Sequence, residues 1–332
     1  MKAPGFWAVA RPTLAARLLA PVGALYGTVV ARRMQQAGQR VAVPVVCIGN
    51  FVVGGGGKTP AAMAIAQMLL DMGERVAFIS RGYGGSLGAG AIKVDPRCHL
   101  AAEVGDEPLL LARLAPCFVS RDRRVAAVMA IQSGASVLVL DDGLQNPSLA
   151  KDLTIAMVDG GAGVGNGLCA PAGPLRAPLA AQLRHVAAIV RVGERVGDLP
   201  FGDTPVLGAR LVPDPNVAAR LAGRDVLAFA GIARPEKFYA TLRGIGANIV
   251  ATRDFPDHHA FTETEIAGLQ AEAAARNLVL AMTEKDAVRL SPQQRLAGVA
   301  LPVALTFDEA PRIAALLREA LATRRGVLGQ SA

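Results

Sequence analysis

At 332 residues the chain is long enough for two domains, because single hydrophobic cores rarely grow past about 250–300 residues. A composition of 52% hydrophobic and 19% charged residues excludes an intrinsically disordered chain. The 35 Lys and Arg against 27 Asp and Glu, a net +8, favour an anionic partner; with only 4% aromatic residues to stack on bases, that partner is expected to be a membrane surface or a phosphorylated ligand and not nucleic acid.

Residues 1–40 hold Phe6, Trp7, Leu14, Leu18, Leu19, Val22, Leu25, Tyr26, Val29 and Val30, with Arg11, Arg17, Arg32 and Arg33 interspersed. The uncharged stretch 18–31 would make a helix about 21 Å long against a hydrocarbon core of about 30 Å, too short to span. Flanking arginines and missing acids suit a helix lying among lipid headgroups. An ordinary helix packed on the body is the alternative. No small-residue cleavage site follows, which speaks against a signal peptide.

Residues 45–60, VVCIGNFVVGGGGKTP, run from a β-branched apolar segment through glycines and Lys58-Thr59 into the helical pattern Ala61, Ala62, Ile65, Ala66, Leu69. Strand, glycine loop and helix in that order form a phosphate-binding loop. Gly54, Gly55, Gly56 and Gly57 would let backbone N–H groups converge on phosphate oxygens, and the helix opening at Pro60 points its positive end at the same anion. Lys58 would reach the β- and γ-phosphates and the Thr59 hydroxyl would hold Mg²⁺. Val52 occupies the first glycine position of G-x-x-x-x-G-K-[ST], so the chain must approach this loop in a different way from the common form.

A second strand, RVAFIS, ends in Arg81-Gly82-Tyr83-Gly84-Gly85 and puts Arg81 at the ligand edge of an open sheet. Asp106 and Glu107 open the next helix, where they could cap it or do chemistry. Arg121, Asp122, Arg123 and Arg124 crowd like charge onto a helix start at about 0.3–1 kcal/mol each, which hints at an anion. The run VLVLDDG describes a buried parallel strand that delivers Asp141 and Asp142 to the edge where a nucleotide enzyme needs an Mg²⁺ ligand. PAGPLR is too rich in proline for helix or central strand; it aims Arg176 at an anion or merely connects.

Texture changes over 194–224. The expected layout is an N-terminal region 1–40, a nucleotide domain 41–205, a linker 206–221 and a smaller α/β domain 222–332. In the last of these, His258, Lys285 and Asp286 sit at strand ends, Thr262 and Glu265 form a capping box, and the tail past Arg324 should fray. The cysteines Cys47, Cys98, Cys117 and Cys169 form no C-x-x-C pair, which speaks against a zinc or disulfide framework and for a reducing compartment.

Taken together, IGNFVVGGGGKTP, SRGYGG, VGDEP, LDDGLQ, PAGPLR, FAGIARPEKF, FPDHHAF and TEKDAVRL, in that order, resemble the tetraacyldisaccharide 4′-kinase family over nearly the full length. The resemblance implies an α/β protein: a P-loop NTPase-like parallel sheet domain with a smaller α/β domain. It implies a monomeric, ATP- and Mg²⁺-dependent kinase, peripheral at the cytoplasmic face of the bacterial inner membrane. Its acceptor would be the 4′-hydroxyl of lipid A disaccharide 1-phosphate and its product lipid IVA. Carried over residue by residue, Asp106 is the general base and His258 its partner; Lys58, Thr59, Asp141 and Asp142 serve Mg–ATP; Asn50, Arg81, Glu107, Arg121 and Arg176 contact substrate. Leu144 and Asn146 depart from the family pattern, which has an aromatic residue and a histidine there. The competing reading is a regulatory P-loop NTPase that acts on a protein partner at the membrane; it leaves the histidine segment and the arginine-flanked N-terminus unexplained.

Overall fold

The structure, a computed structural model, describes residues 4–9, 11–54, 56–86, 90–194 and 200–329. Apolar runs without alternation belong to strands covered on both faces, and Val45–Asn50, Val137–Asp141 and Leu153–Asp159 are buried at every residue. They lie side by side in a nine-stranded sheet. Its order is Val303–Phe307, Val206–Pro213, Ala188–Val192, Leu153–Asp159, Val45–Asn50, Val137–Asp141, Val76–Ser80, Cys117–Val119, Ile92–Lys93. Neighbours run parallel except at the two edges, where Val303–Phe307 and Ile92–Lys93 pair antiparallel. Strands between residues 76 and 141 lie on one side of Val45–Asn50 and later ones on the other. The carboxyl edge at such a reversal is where an open α/β sheet binds ligands. The helix Lys58–Asp71 covers this centre, burying Ala61, Ala62, Ile65, Ala66 and Leu69 against Val46, Ile48 and Phe78.

A second sheet has four parallel strands in the order Asn248–Asp254, Asp225–Ala230, Val279–Thr283, Val299–Leu301. Successive side chains of a strand point to opposite faces. Accordingly Val226, Ala228 and Ala230 pack with Phe238 and Leu242 on one face, while Leu227 and Phe229 pack with Ile266 and Leu269 on the other.

The segment 206–221 differs from the linker expected of it. Val206–Pro213 is a strand of the large sheet, paired with Ala188–Val192 and Val303–Phe307, and Pro215–Leu221 is a helix whose Leu221 joins the core of the smaller unit. Its glycine and prolines suggested a loop, but Leu207, Gly208 and Ala209 are buried in the sheet. The chain also returns to the large sheet at Val303–Phe307, so the smaller unit is an insertion. Its two crossing points touch: Asp214 N–H donates to the Pro302 carbonyl at 2.9 Å. The tail continues as helix to Gly329 instead of fraying, because Arg324 binds the Val41 carbonyl and Arg325 pairs with Glu74 at 2.6 Å.

The N-terminal helix is longer than the uncharged stretch suggests. It runs Leu14–Met34, 21 residues with an 18-residue window of mean hydropathy 1.5, long and apolar enough by length and composition to cross a membrane, because Arg17, Arg32 and Arg33 are carried inside it. Ala16, Gly23, Gly27 and Met34 are buried on one face, while Leu14, Leu18, Val22, Leu25, Tyr26 and Val29 are exposed on the rest. Packing and exposure therefore coexist in this helix. A Cβ on Gly23 would come 2.5 Å from the Cys169 carbonyl oxygen, and one on Gly27 2.6 Å from Cys169 Sγ. Since backbone cannot yield there, Gly23→Val should cost about 1–3 kcal/mol of docking free energy. Amide hydrogen exchange across the helix reads this out; protection equal to that of the parent would contradict the packing.

Candidate functional site

At the carboxyl edge of Val45–Asn50 the backbone turns through glycine. Gly57 takes φ +79°, in the left-handed region, immediately before the helix begins at Lys58. Gly55 lies outside the described residues. Gly54 has φ +108°, and its carbonyl accepts Asn50 Nδ2 at 2.9 Å and lies 3.4 Å from Lys58 Nζ. Pro60 falls in the first turn, where an N–H would be unpaired in any case. Val52 finds its reason in pairing: it bridges antiparallel to Leu175, Val53 N–H donates to the Pro174 carbonyl at 2.8 Å, and Arg176 N–H donates to that of Phe51 at 2.9 Å. PAGPLR is thus a strap along the loop, and a glycine at 52 would be of no use to it.

The register Ile48↔Asp141 brings the acidic pair beside the loop. Asp142 adopts φ +54° and faces two cations: Arg176 Nη1 at 2.8 Å and Lys58 Nζ at 3.9 Å. Burial would raise its carboxyl, but the Lys58 and Arg176 charges hold it down at about 2. Arg123 is buried beneath the turn and donates to the carbonyls of Asp141 and Asp142 at 3.1 and 2.8 Å. Asp141 is the exception in the site. Both its carboxylate oxygens are buried with no hydrogen-bond partner, and burial, then the charges of Glu107 and Asp142, push it up to about 8. An orphaned buried carboxylate is the kind of donor that a hard divalent cation satisfies, so the residues present fit Mg²⁺.

The other half of the site forms where the smaller unit meets the helix Asp106–Leu111. His258 Nδ1 lies 3.0 Å from Asp106 Oδ2, and the Arg289 guanidinium grips the same oxygen through Nε at 2.9 Å and through Nη2. Lys285 Nζ donates to Glu107 at 3.0 Å. Burial would raise the Asp106 carboxyl, but the His258 hydrogen bond and the charges of Lys285 and Arg289 keep it well below the usual carboxylate range. Asp106, Glu107 and His258 present ligand atoms within 4.8 Å of one another, but Arg289 and Lys285 already answer that charge. Asp141 is the carboxylate left for a cation. His259 turns away to Glu265, 3.0 Å distant.

Sequence reasoning and structure part in several places. Of the arginine cluster at 121–124, Arg124 pairs with Asp122 at 2.6 Å and Arg123 is buried and structural, while Arg121 is exposed. Arg121 and Arg81 line one small concavity beside Glu103 and Ser120 and make no hydrogen bond or ion pair among the described residues. Gln145 and Arg289 went unnoticed. Gln145 Nε2 donates to the Asn50 carbonyl at 2.7 Å and its Oε1 accepts from Arg176 at 3.2 Å, a signal hidden inside LDDGLQ. Arg289 sits in TEKDAVRL, where nothing in residue type marks it off from a surface arginine.

A family profile described as "LpxK: Tetraacyldisaccharide-1-P 4'-kinase" matches residues 15–322. The chain belongs to this family. A tetraacyldisaccharide 4'-kinase of Methylobacterium sp. (strain 4-46) is 54% identical over 96% of this chain and 98% of its own length. One of Nitrobacter winogradskyi is 46% identical, over 98% and 99%. Among solved structures, the "apo" form LpxK from Aquifex aeolicus in complex with ATP aligns with TM-score 0.73 at 25% identity, covering 93% of this chain and 100% of that one. The α/β fold with its parallel sheet is thus the P-loop kinase architecture, and family membership makes the chain a phosphotransferase. Against the family pattern, Leu144 is buried beside Gly49, and Asn146 spends its side chain on a turn, accepting from Ser148 N–H at 2.8 Å.

The two adjacent acids should respond oppositely to neutralisation. Asp141 ionises in the unfolded chain near about 4 but in the folded one only near about 8, so the stability it contributes falls as pH rises between those values. In chelator above that range, Asp141→Asn should stabilise the protein by about 1–3 kcal/mol. Asp142→Asn, which leaves Lys58 and Arg176 unanswered, should destabilise it. Denaturant titration of both variants tests this, and shifts of the same sign would refute it.

Proposed function

We propose that this chain transfers the γ-phosphoryl group of ATP to the 4′-hydroxyl of a tetraacyldisaccharide 1-phosphate, giving lipid IVA. The observation that carries the reading is a phosphate loop on the large sheet together with a buried, charge-paired carboxylate, Asp106, whose neighbour Glu107 is near enough to Asp141 to act on it electrostatically. Phosphoryl transfer asks little more of a protein than cations on the phosphates and an acceptor for the hydroxyl proton.

In this reading the backbone amides around Gly54, Gly56 and Gly57 bind the phosphates. Lys58, now shared between Gly54 and Asp142, turns to the β- and γ-oxygens. Thr59, Asp141 and Asp142 would hold Mg²⁺, which when bound draws charge from the phosphate oxygens. Asp106 takes the proton as the sugar oxygen bonds to phosphorus and the bond to ADP breaks. The Nδ1–H of His258 donates to Asp106, which leaves Nε2 as acceptor toward Lys285 Nζ at 3.4 Å and so keeps the ring oriented. Asn50 and Arg176 brace the loop from behind; Glu107, Arg81 and Arg121 lie on the acceptor side, where the two arginines, without partners among the described residues, suit a sugar-linked phosphate. Both halves of the site come from one chain, which supports a monomer as the working unit.

The exposed stripe Leu14, Leu18, Val22, Leu25, Tyr26 and Val29, flanked by Arg17, Arg32 and Arg33, supports docking on an anionic bilayer. With ATP as donor, that surface is the cytoplasmic face of the inner membrane.

Label from γ-labelled ATP should appear in the lipid, and Asp106→Ala should lower the rate by about 10²–10⁴-fold with the fold intact. Nucleotide hydrolysis without lipid labelling would favour the regulatory NTPase. Leu18→Glu with Leu25→Glu, both at exposed positions, should release the protein from anionic vesicles in flotation while its melting temperature stays put. Unchanged flotation would discard the docking face.

A further inference from the structure

Arg289 lies far from the phosphate loop in sequence and is only 5% exposed, against 3% for the Asp106 side chain it meets. Its guanidinium is built into the smaller unit before it meets Asp106. Nη1 donates to the Gly231 carbonyl at 2.8 Å and to Asp286 Oδ1 at 2.9 Å. Asp286, fully buried, is itself fixed by Gly231 N–H at 3.0 Å and the Thr283 hydroxyl at 2.6 Å. The remaining edge of the guanidinium, Nε and Nη2, is presented to a single atom, Asp106 Oδ2.

The two oxygens of Asp106 therefore differ. Oδ2 receives His258 Nδ1 and both free donors of Arg289, which uses up its lone pairs. Among the described residues Oδ1 accepts only the neighbouring Glu107 N–H, at 2.8 Å, and keeps one lone pair. An oxygen surrounded by donors cannot collect another proton, so the one that can face a hydroxyl is Oδ1.

We propose that Arg289 is a positioning residue for the transfer: with His258 it pins Oδ2 so that Oδ1 is turned to the acceptor hydroxyl. This rests on the reading of Asp106 as the base. Because Arg289 and His258 both belong to the inserted unit, Asp106 takes up this pose only when that unit sits against the helix Asp106–Leu111. Adhesion between the units is provided elsewhere, by Arg113 with Glu284 at 3.3 Å, by Lys285 with Glu107 at 3.0 Å, and by Arg234 at 2.9 Å from Asp159 with Lys237 beside it. Arg289 spends its free edge on the carboxylate alone.

The test is steady-state kinetics with labelled ATP and the lipid acceptor on Arg289→Gln, Arg289→Lys and, as an adhesion control, Arg113→Ala. Misplacing a reacting group costs about 100-fold. Arg289→Gln should therefore lose kcat by about that factor, with the KM for ATP within about twofold of the parent, as for an interaction absent from nucleotide binding. Arg289→Lys, which keeps the charge but not the planar fork, should retain more than the glutamine variant and less than the parent. Arg113→Ala should turn over normally. Parental kcat in Arg289→Gln would overturn the proposal, as would an equal loss in Arg113→Ala. If the glutamine variant does not fold, Arg289→Lys decides: parental kcat in that variant overturns the proposal, and a fall in kcat at unchanged KM for ATP upholds it. Loss in Asp106→Ala with a parental Arg289→Gln rejects Arg289 alone. Turnover retained in Asp106→Ala rejects the base and this inference with it.

Discussion

The parallel pairing of Val45–Asn50 with Val137–Asp141 determines where everything else at the site can be. Backbone hydrogen bonds in a sheet buried on both faces have no water to compete with them, and a slip of one residue would send every side chain to the opposite face. With Ile48 opposite Asp141, Val137–Asp141 ends beside the last residues of Val45–Asn50, so the acidic pair lies next to the strand that runs on into the glycine loop. The loop and its acids are therefore adjacent before any nucleotide arrives. PAGPLR adds a second layer of the same kind, since its pairing with Phe51, Val52 and Val53 holds the loop from outside and sets Arg176 against Asp142.

Charge divides the cleft into two halves with different histories. In the nucleotide half, the cations answering Asp142 are Lys58 and Arg176, both from the large sheet's own unit, so this half is preformed. In the half where the insertion meets the helix Asp106–Leu111, Asp106 and Glu107 are answered by His258, Arg289 and Lys285, all from the insertion. Asp159 repeats that pattern with Arg234 and Lys237. The chain leaves and re-enters the large unit through hydrogen-bonded neighbours, Asp214 and Pro302, so the insertion joins that unit at one place. Asp141 is the carboxylate of this site whose two oxygens, among the described residues, are buried without a hydrogen-bond partner.

Much of this could be read in the amino acids, for physical reasons. Unbroken apolar runs such as VLVLDDG have one stable environment, and a glycine loop between strand and helix has few purposes, so the central strands and Lys58-Thr59 were visible. The resemblance brought in Asp106 and His258, which the structure places 3.0 Å apart although 152 residues separate them. Long-range return was invisible. Val303–Phe307 pairs beside Val206–Pro213, and no local pattern announces a strand completing a sheet begun far upstream; a Pro- and Gly-bearing segment then passes for a linker. Arg289 was missed for the same reason, because its role depends wholly on a partner in another unit. Helix length was misjudged because charged residues were taken as boundaries, whereas Arg17 and Arg32 extend into water from a helix that continues through them.

The packed face of the N-terminal helix connects, through a few contacts, to the acidic pair. Gly23 and Gly27 press on Cys169, Ala172 and Pro178, the Ala170–Leu175 turn carries the strap residue that pairs with Val52, and Arg176 follows directly onto Asp142. From the N-terminal helix to the acidic pair there are only a few packed contacts. On the proposed reading, a helix lying in the headgroup region would hold the phosphate loop at a set height above the bilayer. A sugar headgroup projecting from that bilayer then has a defined distance to travel. Small residues are required at this seam because any side chain there would push the helix off the very segment that supports the nucleotide.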